Sequence, residues 1–274
     1  MRPGGQGRRK FGSLGQRARD VLVARRMRKG LAEWGDQHPL RQLDPLTDLS
    51  TTVLLPCYNH AALLPLTVES LLDQTLSTFD TILIDDCSTD GTPAVLERLA
   101  ARLAGKGRVT VLRNDVNIGQ AATLNSAVSL ADSDLVSVVN DDDWLTPTAL
   151  EAAVGAHGQQ NIALVGCSSR WFSGDGLPPE VSSVGHHPAR RLTPRQVRGF
   201  RQVNDLNMTH SGMTFRRSAW AAVGGYRSDP GTRIVPFSDR DFQLRVAALY
   251  PVALIDAPLV WWRSDSSVDA GLNS

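Results

Sequence analysis

Short apolar, β-branched runs alternate with segments of helical spacing through the first half of this chain, and every run stops at polar residues. Residues 51–55 run into Pro56-Cys57-Tyr58-Asn59, residues 81–84 into Asp85-Asp86, residues 109–112 toward Asn114, and residues 135–139 into Asn140-Asp141-Asp142-Asp143. Between them, residues 63–72, 92–103 and 121–131 carry the period of amphipathic helices. Strand, helix, strand in repetition predicts an α/β fold with right-handed crossovers and a mostly parallel central sheet. The runs hold no charge, as strands covered by helices on both faces require. Such sheets bind ligands at the carboxyl ends of their strands, so the four polar strand ends are expected along one edge.

The three consecutive aspartates are the most informative of these ends. Neighbouring carboxylates repel by about 1 kcal/mol at 4 Å even in water, and by more where the site is partly dry. A cluster placed at a buried strand end therefore calls for a cation. Oxygen ligands of this type suit Mg²⁺ or Mn²⁺ shared with a substrate phosphate. A solvated acidic turn is the competing interpretation, and position after a buried strand argues against it.

With 274 residues, 42% of them hydrophobic and 21% charged, the chain is long enough for one large core and is neither disordered nor fibrous in composition. Three cysteines, Cys57, Cys87 and Cys167, have no metal-type spacing and argue against a disulfide framework, so a reducing cytoplasm fits best. Neither a membrane-spanning helix nor a signal peptide is expected. The net charge of +1 conceals an asymmetry: residues 1–30 hold ten Lys or Arg against the single acid Asp20, leaving the remainder of the chain net acidic. Phe11, Leu14, Ala18, Val21 and Leu22 fall near helical spacing among the arginines, a pattern compatible with peripheral contact at the inner face of a membrane. A solvated tail is the alternative, favoured by Gly4, Gly5, Gly7, Gly12 and Gly15. Nucleic-acid binding is not expected, since no interleaved aromatics accompany the charge.

Several ordered motifs carry a resemblance. Val53-Leu54-Leu55-Pro56-Cys57-Tyr58-Asn59, Ser70-Leu71-Leu72-Asp73-Gln74-Thr75, Ile84-Asp85-Asp86-Cys87-Ser88-Thr89-Asp90-Gly91-Thr92, Asn117-Ile118-Gly119 with Leu124-Asn125, and Asn140-Asp141-Asp142-Asp143 together closely resemble family-two glycosyltransferases of the GT-A fold. The resemblance covers roughly residues 50–265. It implies a Rossmann-like single catalytic domain: a basic arm and linker over 1–48, a nucleotide-sugar-binding half over 49–145, and an acceptor-binding half over 146–274. It also implies metal-dependent transfer of a sugar from a nucleotide diphosphate sugar, a UDP-sugar by expectation, to an acceptor hydroxyl with inversion. That acceptor could be a glycan, a lipid-linked glycan or a small molecule, in keeping with cell envelope or polysaccharide biosynthesis.

The resemblance also distributes roles. Pro56, Tyr58 and Asn59 are expected around the base and ribose, and Asp86 as acceptor for a uracil imide N–H, with an Asx turn as its structural alternative. Asn117, Gly119 and Asn125 are expected along the ribose and phosphates, although Gln120 and Leu124 stand where cations are frequent. Asp142 matches the metal-binding carboxylate, Asp141 lies near ribose or metal water, and Asp143 is expected to hold the loop; Asn140 replaces the usual first Asp. Downstream, Met208-Thr209-His210-Ser211-Gly212-Met213-Thr214-Phe215-Arg216-Arg217 and Val223-Gly224-Gly225-Tyr226 resemble the acceptor side. Asp239 matches the catalytic base, with Ser238 in place of the usual Glu; helix capping is the alternative for Asp239 and Asp241 alike. His210, Asp241 and Asp265 are candidate acceptor or phosphate contacts. Asp265 stands at a frequent His position, and a structural role is the stronger interpretation for His210. The competing functions are a catalytically silent sugar-nucleotide-binding module and a nucleotidyltransferase. The second is disfavoured because Pro56-Cys57-Tyr58-Asn59-His60 is not a Gly-rich phosphate loop.

Overall fold

A computed structural model describes residues 29, 33–46, 48–179, 187–199, 206, 208–229 and 237–264. The sequence signals in residues 1–28, and Asp265, lie outside these described residues.

The first half folds as its periodicity dictates. Strands β1 (Thr51–Cys57), β2 (Asp80–Asp85), β3 (Val109–Arg113) and β4 (Leu135–Val138) are parallel, in spatial order β3-β2-β1-β4. They alternate with helices α1 (Leu64–Leu72), α2 (Thr92–Leu103) and α3 (Gln120–Leu130). Side-chain alternation along β1 divides the core. Leu54 faces one layer with Ile82, Val136 and the α3 residues Leu124 and Val128; Val53 and Leu55 face the other with α1 and α2. All three β1 residues are fully buried, so truncating Leu54 to Ala should cost roughly 2–5 kcal/mol.

Strand β1 runs two residues further than the sequence reading, through Pro56. Proline removes a backbone donor, which a central strand seldom tolerates. Here the Leu54 carbonyl accepts from Val139 on the β4 side and the Cys57 carbonyl accepts from Asp86 on the β2 side. By alternation Pro56 turns its nitrogen toward β4, where pairing has already stopped at Leu54 opposite Val138. No ladder bond is forfeited.

The second half adds antiparallel pairing that periodicity could not place. Strand β8 (Thr214–Arg216) lies antiparallel between β4 and β6 (Leu164–Phe172). The 12-residue β9 (Val252–Arg263) runs parallel to β6, with register shifts near Ser168. Its first part pairs with β7 (Ala189–Leu192) and its last part with the two-residue β5 (Trp144–Leu145). Helix α4 (Ala149–Gln160) covers one face; α5 (Pro194–Arg198), α6 (Arg217–Ala222) and α7 (Ser238–Leu249) pack on the other. Because β5 follows Asp143 directly, the Trp144–Trp261 pairing draws the end of β9 against the acidic turn. No helix among the described residues is long and apolar enough to cross a membrane.

Candidate active site at the strand ends

The four carboxyl ends converge as expected and are stitched together. The Asp86 N–H donates to the Cys57 carbonyl at 2.8 Å and the Asn114 N–H to the Asp85 carbonyl at 2.9 Å. The Asn59 backbone, at φ +55°, donates to Ser88 Oγ at 2.9 Å, while its side-chain oxygen accepts from the Thr89 N–H at 2.8 Å. Tyr58 is 39% exposed beside this network, which leaves its side chain available for stacking.

Adjacent Asp85 and Asp86 divide the work. Asp85 holds the loop by accepting from the Ser88 N–H three residues on, and sits 3.3 Å from Arg113 Nε without hydrogen-bond alignment. Buried Asp86 accepts from Asn114 Nδ2 at 2.8 Å, the Ile118 N–H at 3.0 Å and the Gly119 N–H at 2.8 Å. A carboxylate offers about four lone-pair sites, so one remains. Gly119 holds φ +81° at the start of α3, a backbone state that favours glycine. Asn117 closes the same turn by accepting from the Gly119 N–H at 3.2 Å.

The acidic turn separates into three environments. Asp141 is buried, accepting from the Tyr58 N–H at 3.0 Å and bonded to His60 Nδ1 at 2.9 Å. The hydrogen bond to Asp141 raises the His60 pKa, while burial raises that of Asp141 against the pull of the same bond. Asp143 accepts from Ser211 Oγ, Asn140 Nδ2 and the Arg263 N–H; burial and the adjacent Asp142 charge push it up to about 8. Asp142 differs from both. Its main-chain oxygen accepts from Arg263 Nε, but its half-buried carboxylate has no hydrogen-bond or ion-pair partner among the described residues. Nor do three His, Cys, Asp or Glu side chains gather anywhere among them to hold a metal by themselves. One free carboxylate beside two engaged ones fits Mg²⁺ or Mn²⁺, which commonly takes one or two protein carboxylates and completes its shell with phosphate and water.

In the second half of the chain, Asp239 lies in the first turn of α7, half-buried and likewise without a hydrogen-bond or ion-pair partner among the described residues. Its charge reaches His210 and Tyr226: it opposes the burial that lowers the His210 pKa, and adds to the burial that raises the Tyr226 phenol. The His210 ring bonds the Tyr226 hydroxyl at 3.2 Å. Next to it, Ser211 reaches Asp143, so one loop connects the acidic turn with the start of α7. Stacking of Phe242 on Tyr226, with centroids 4.4 Å apart, fixes α7 beneath that loop.

Two candidates have other tasks. Asn125 does not face the strand ends: its oxygen accepts from Trp220 Nε1 and the Tyr226 N–H, and its nitrogen donates to the Tyr226 carbonyl at 2.8 Å. A side chain on Gly225 would come within 2.5 Å of that oxygen, which explains the glycine. Asp241 is buried in an ion pair with Arg245 at 2.8 Å, and Arg245 also donates to the Val223 and Gly225 carbonyls. His60, Ser211 and Arg263 had no assigned role in the sequence. Their partners lie 68 to 121 residues away along the chain, so no local spacing announces them. Cys57 sits within this edge, but burial and the charges of Asp141 and Asp85 push its thiol well up, which makes it unsuitable as a nucleophile.

Comparison with known proteins places this architecture. The model of "Glycosyl transferase family 2" matches residues 52–223. The putative glycosyltransferase EpsE of Bacillus subtilis is 28% identical over 71% of this chain and 65% of its own length. The putative colanic acid biosynthesis glycosyl transferase WcaA of Escherichia coli is 33% identical over 40% and 38%. The chain thus spans less than two thirds of these relatives. Among solved structures, S. aureus TarS residues 1–349 in complex with UDP-GlcNAc aligns with a TM-score of 0.61 at 18% identity, over 78% of this chain and 58% of that one. The mannosyltransferase PcManGT of Pyrobaculum calidifontis, in complex with GDP-Man and Mn²⁺, aligns at 0.57 and 20% identity, over 85% and 61%. With the family model covering more than half its length and a sheet of the same architecture, this chain belongs to glycosyl transferase family 2 and has the GT-A fold.

Proposed function

We propose that this chain is a metal-dependent inverting glycosyltransferase that moves a sugar from a UDP-sugar to an acceptor hydroxyl. The observation that carries the proposal is a contrast among carboxylates. Asp85, Asp86, Asp90, Asp141, Asp143 and Asp241 are all engaged by protein donors or cations. Asp142 at the end of β4 and Asp239 at the start of α7 stay half-buried and without partners among the described residues. A carboxylate kept free where burial is partial is destabilising unless a ligand uses it.

Each residue then has a physical role. Tyr58 offers its ring to the base, with Pro56 and Asn59 shaping the surrounding backbone. Asp86 orders residues 114–119 and keeps one acceptor site for an imide N–H. Asn117 and Gly119 present the turn beside the ribose and phosphates. Asp141 fixes the turn against β1, and Asp142 binds Mn²⁺ or Mg²⁺. When bound, the cation neutralises charge that grows on the departing nucleoside diphosphate. Asp239 accepts the proton of the attacking hydroxyl from the face opposite the leaving group, and a single displacement of this kind inverts the anomeric carbon. His210 orients Tyr226 beside that carboxylate.

On this reading, residues 49–145 bind the donor and residues 146–274 the acceptor. Relatives named for colanic acid and teichuronic acid biosynthesis support a cell-envelope or exopolysaccharide acceptor. Cytoplasmic placement rests on the cysteine usage, and membrane contact through the basic residues 1–30 on the charge asymmetry. The test is a panel of UDP-, GDP- and dTDP-sugars with Mn²⁺, scored by thermal stabilisation and donor hydrolysis. A ligand at 100 times its Kd adds about 2.7 kcal/mol. Stabilisation and slow hydrolysis with a UDP-sugar are expected. Stabilisation without hydrolysis or transfer would make the chain a binding module, and no response to any donor would reject the proposal.

A further inference from the structure

Two indoles are left in water at the end of the sheet. Trp171 is 60% exposed and Trp262 40% exposed. They are register partners on the parallel strands β6 and β9, so they project side by side from one sheet face. On the opposite face the alternate residues are sealed. Phe172 and Trp261 meet edge to face at 6.2 Å, and the Arg263 guanidinium lies 4.4 Å from the Phe172 centroid. The exposed pair thus rests on a rigid backing and has few rotamers to lose on binding.

The strand end that carries the pair is tied both to the loop of His210 and Ser211 and to the acidic turn. Two residues before Trp262, Val260 packs against Gly212, where even a Cβ would approach to 2.8 Å. Gly212 follows His210 and Ser211, whose contacts run to Tyr226 and Asp143. One residue after Trp262, the Arg263 N–H donates to Asp143. The indoles therefore stand at the same sheet edge as the acidic turn.

From this position beside the acidic turn we propose that Trp171 and Trp262 form a platform for the acceptor, and that the acceptor is an oligosaccharide whose pyranose rings lay their C–H faces on the indoles. The inference rests on the sugar-transfer reading above and names the substrate class of that site. Indole faces carry negative π charge and attract polarised C–H groups while tolerating variation in hydroxyl stereochemistry. The exposed aromatic area is on the order of 200 Å², far below what a stable protein partner buries, and well matched to one or two sugar rings.

The test is saturation-transfer NMR with cellotetraose, maltotetraose and chitotetraose, run on the full chain beside a UDP titration. Transfer to ring protons of at least one tetrasaccharide is expected. Trp262→Ala and Trp171→Ala should each weaken it at least tenfold, Trp262→Tyr should retain most of it, and UDP affinity should stay within twofold throughout. UDP binding with no saccharide response, or a response untouched by the alanine variants, would overturn the platform alone. Failure to bind UDP would instead strike the sugar-transfer reading. Loss of binding to phosphatidylglycerol vesicles in the alanine variants, with no saccharide effect, would reassign the pair to a lipid surface and overturn the inference.

Discussion

Replacing Asp241 by Asn removes the one buried carboxylate among the described residues that pairs with Arg245 in α7. The two side chains are 11% and 4% exposed and meet at 2.8 Å, so water cannot take over from the lost carboxylate. Arg227 approaches the same carboxylate at 3.4 Å, but from a side chain 40% exposed, and adds little. In Asp241→Asn the Arg245 guanidinium keeps its bonds to the Val223 and Gly225 carbonyls yet retains an uncompensated buried charge. Breaking one side of such a pair costs about 3–5 kcal/mol. At about 2–4 °C per kcal/mol for a domain of this size, the melting temperature should fall by about 6–20 °C. The double variant Asp241→Leu with Arg245→Met removes both charges and should be more stable than Asp241→Asn alone. Chemical denaturation with urea, analysed for midpoint and slope, measures all three. An Asp241→Asn variant within about 1 kcal/mol of the parent, or a double variant no better than it, would refute the stabilising role of the ion pair. An Asn variant that is stable but inactive would show instead that Asp241, not Asp239, handles the acceptor proton.

Asp239→Asn removes a carboxylate without a hydrogen-bond or ion-pair partner among the described residues, so the fold should survive while single-turnover transfer falls by about 10²-fold or more at unchanged UDP-sugar affinity; unchanged transfer rejects the base. Asp86→Ala frees the three donors of Asn114, Ile118 and Gly119 and removes the imide acceptor. UDP affinity should therefore drop at least tenfold and its advantage over GDP should shrink in competition binding. Equal competition by GDP and UDP in the parent would refute a base-reading role. His157, fully buried between the Ile162 and Thr214 carbonyls, has its pKa driven by burial down to about 4. The unfolded chain binds that proton at pH 6.5 and the folded chain only near pH 4, so acid should remove about 3 kcal/mol of stability across this window, and more alkaline solution should restore it. Urea midpoints of the parent and of His157→Gln from pH 7 to pH 4 measure it. Parallel curves for the two proteins would contradict the assignment.

The first half was legible because its signals are local. The charge-free runs at 81–84 and 135–139 could only be buried strands, and polar residues at their ends followed the one rule that governs open α/β sheets. The second half resisted for a stated reason: β5 has two residues and β8 three, too few for a period to register. The shifted register of β6 against β9 also breaks the pattern where they do pair. Within the site, Asp142 and Asp239 carried readable signals through their positions in motifs. What the sequence could not separate was free from engaged. Asp86, Asn125 and Asp241 occupy equally suggestive positions, and only tertiary partners such as Gly119, Tyr226 and Arg245 reveal their structural tasks. His60 shows the converse. An ordinary-looking histidine proves to hold Asp141, 81 residues away, by a buried bond.

The central claim is that a divalent cation on Asp142 joins this strand edge to a nucleoside diphosphate. Isothermal titration of UDP into the parent protein and into Asp142→Ala, each with Mn²⁺ and with EDTA, tests it directly. EDTA should weaken binding to the parent at least tenfold. Asp142→Ala, folded as judged by its melting temperature, should bind UDP weakly and equally in both conditions. Parent affinity unchanged by EDTA, or an Asp142→Ala variant that keeps a full Mn²⁺ response, would contradict that claim.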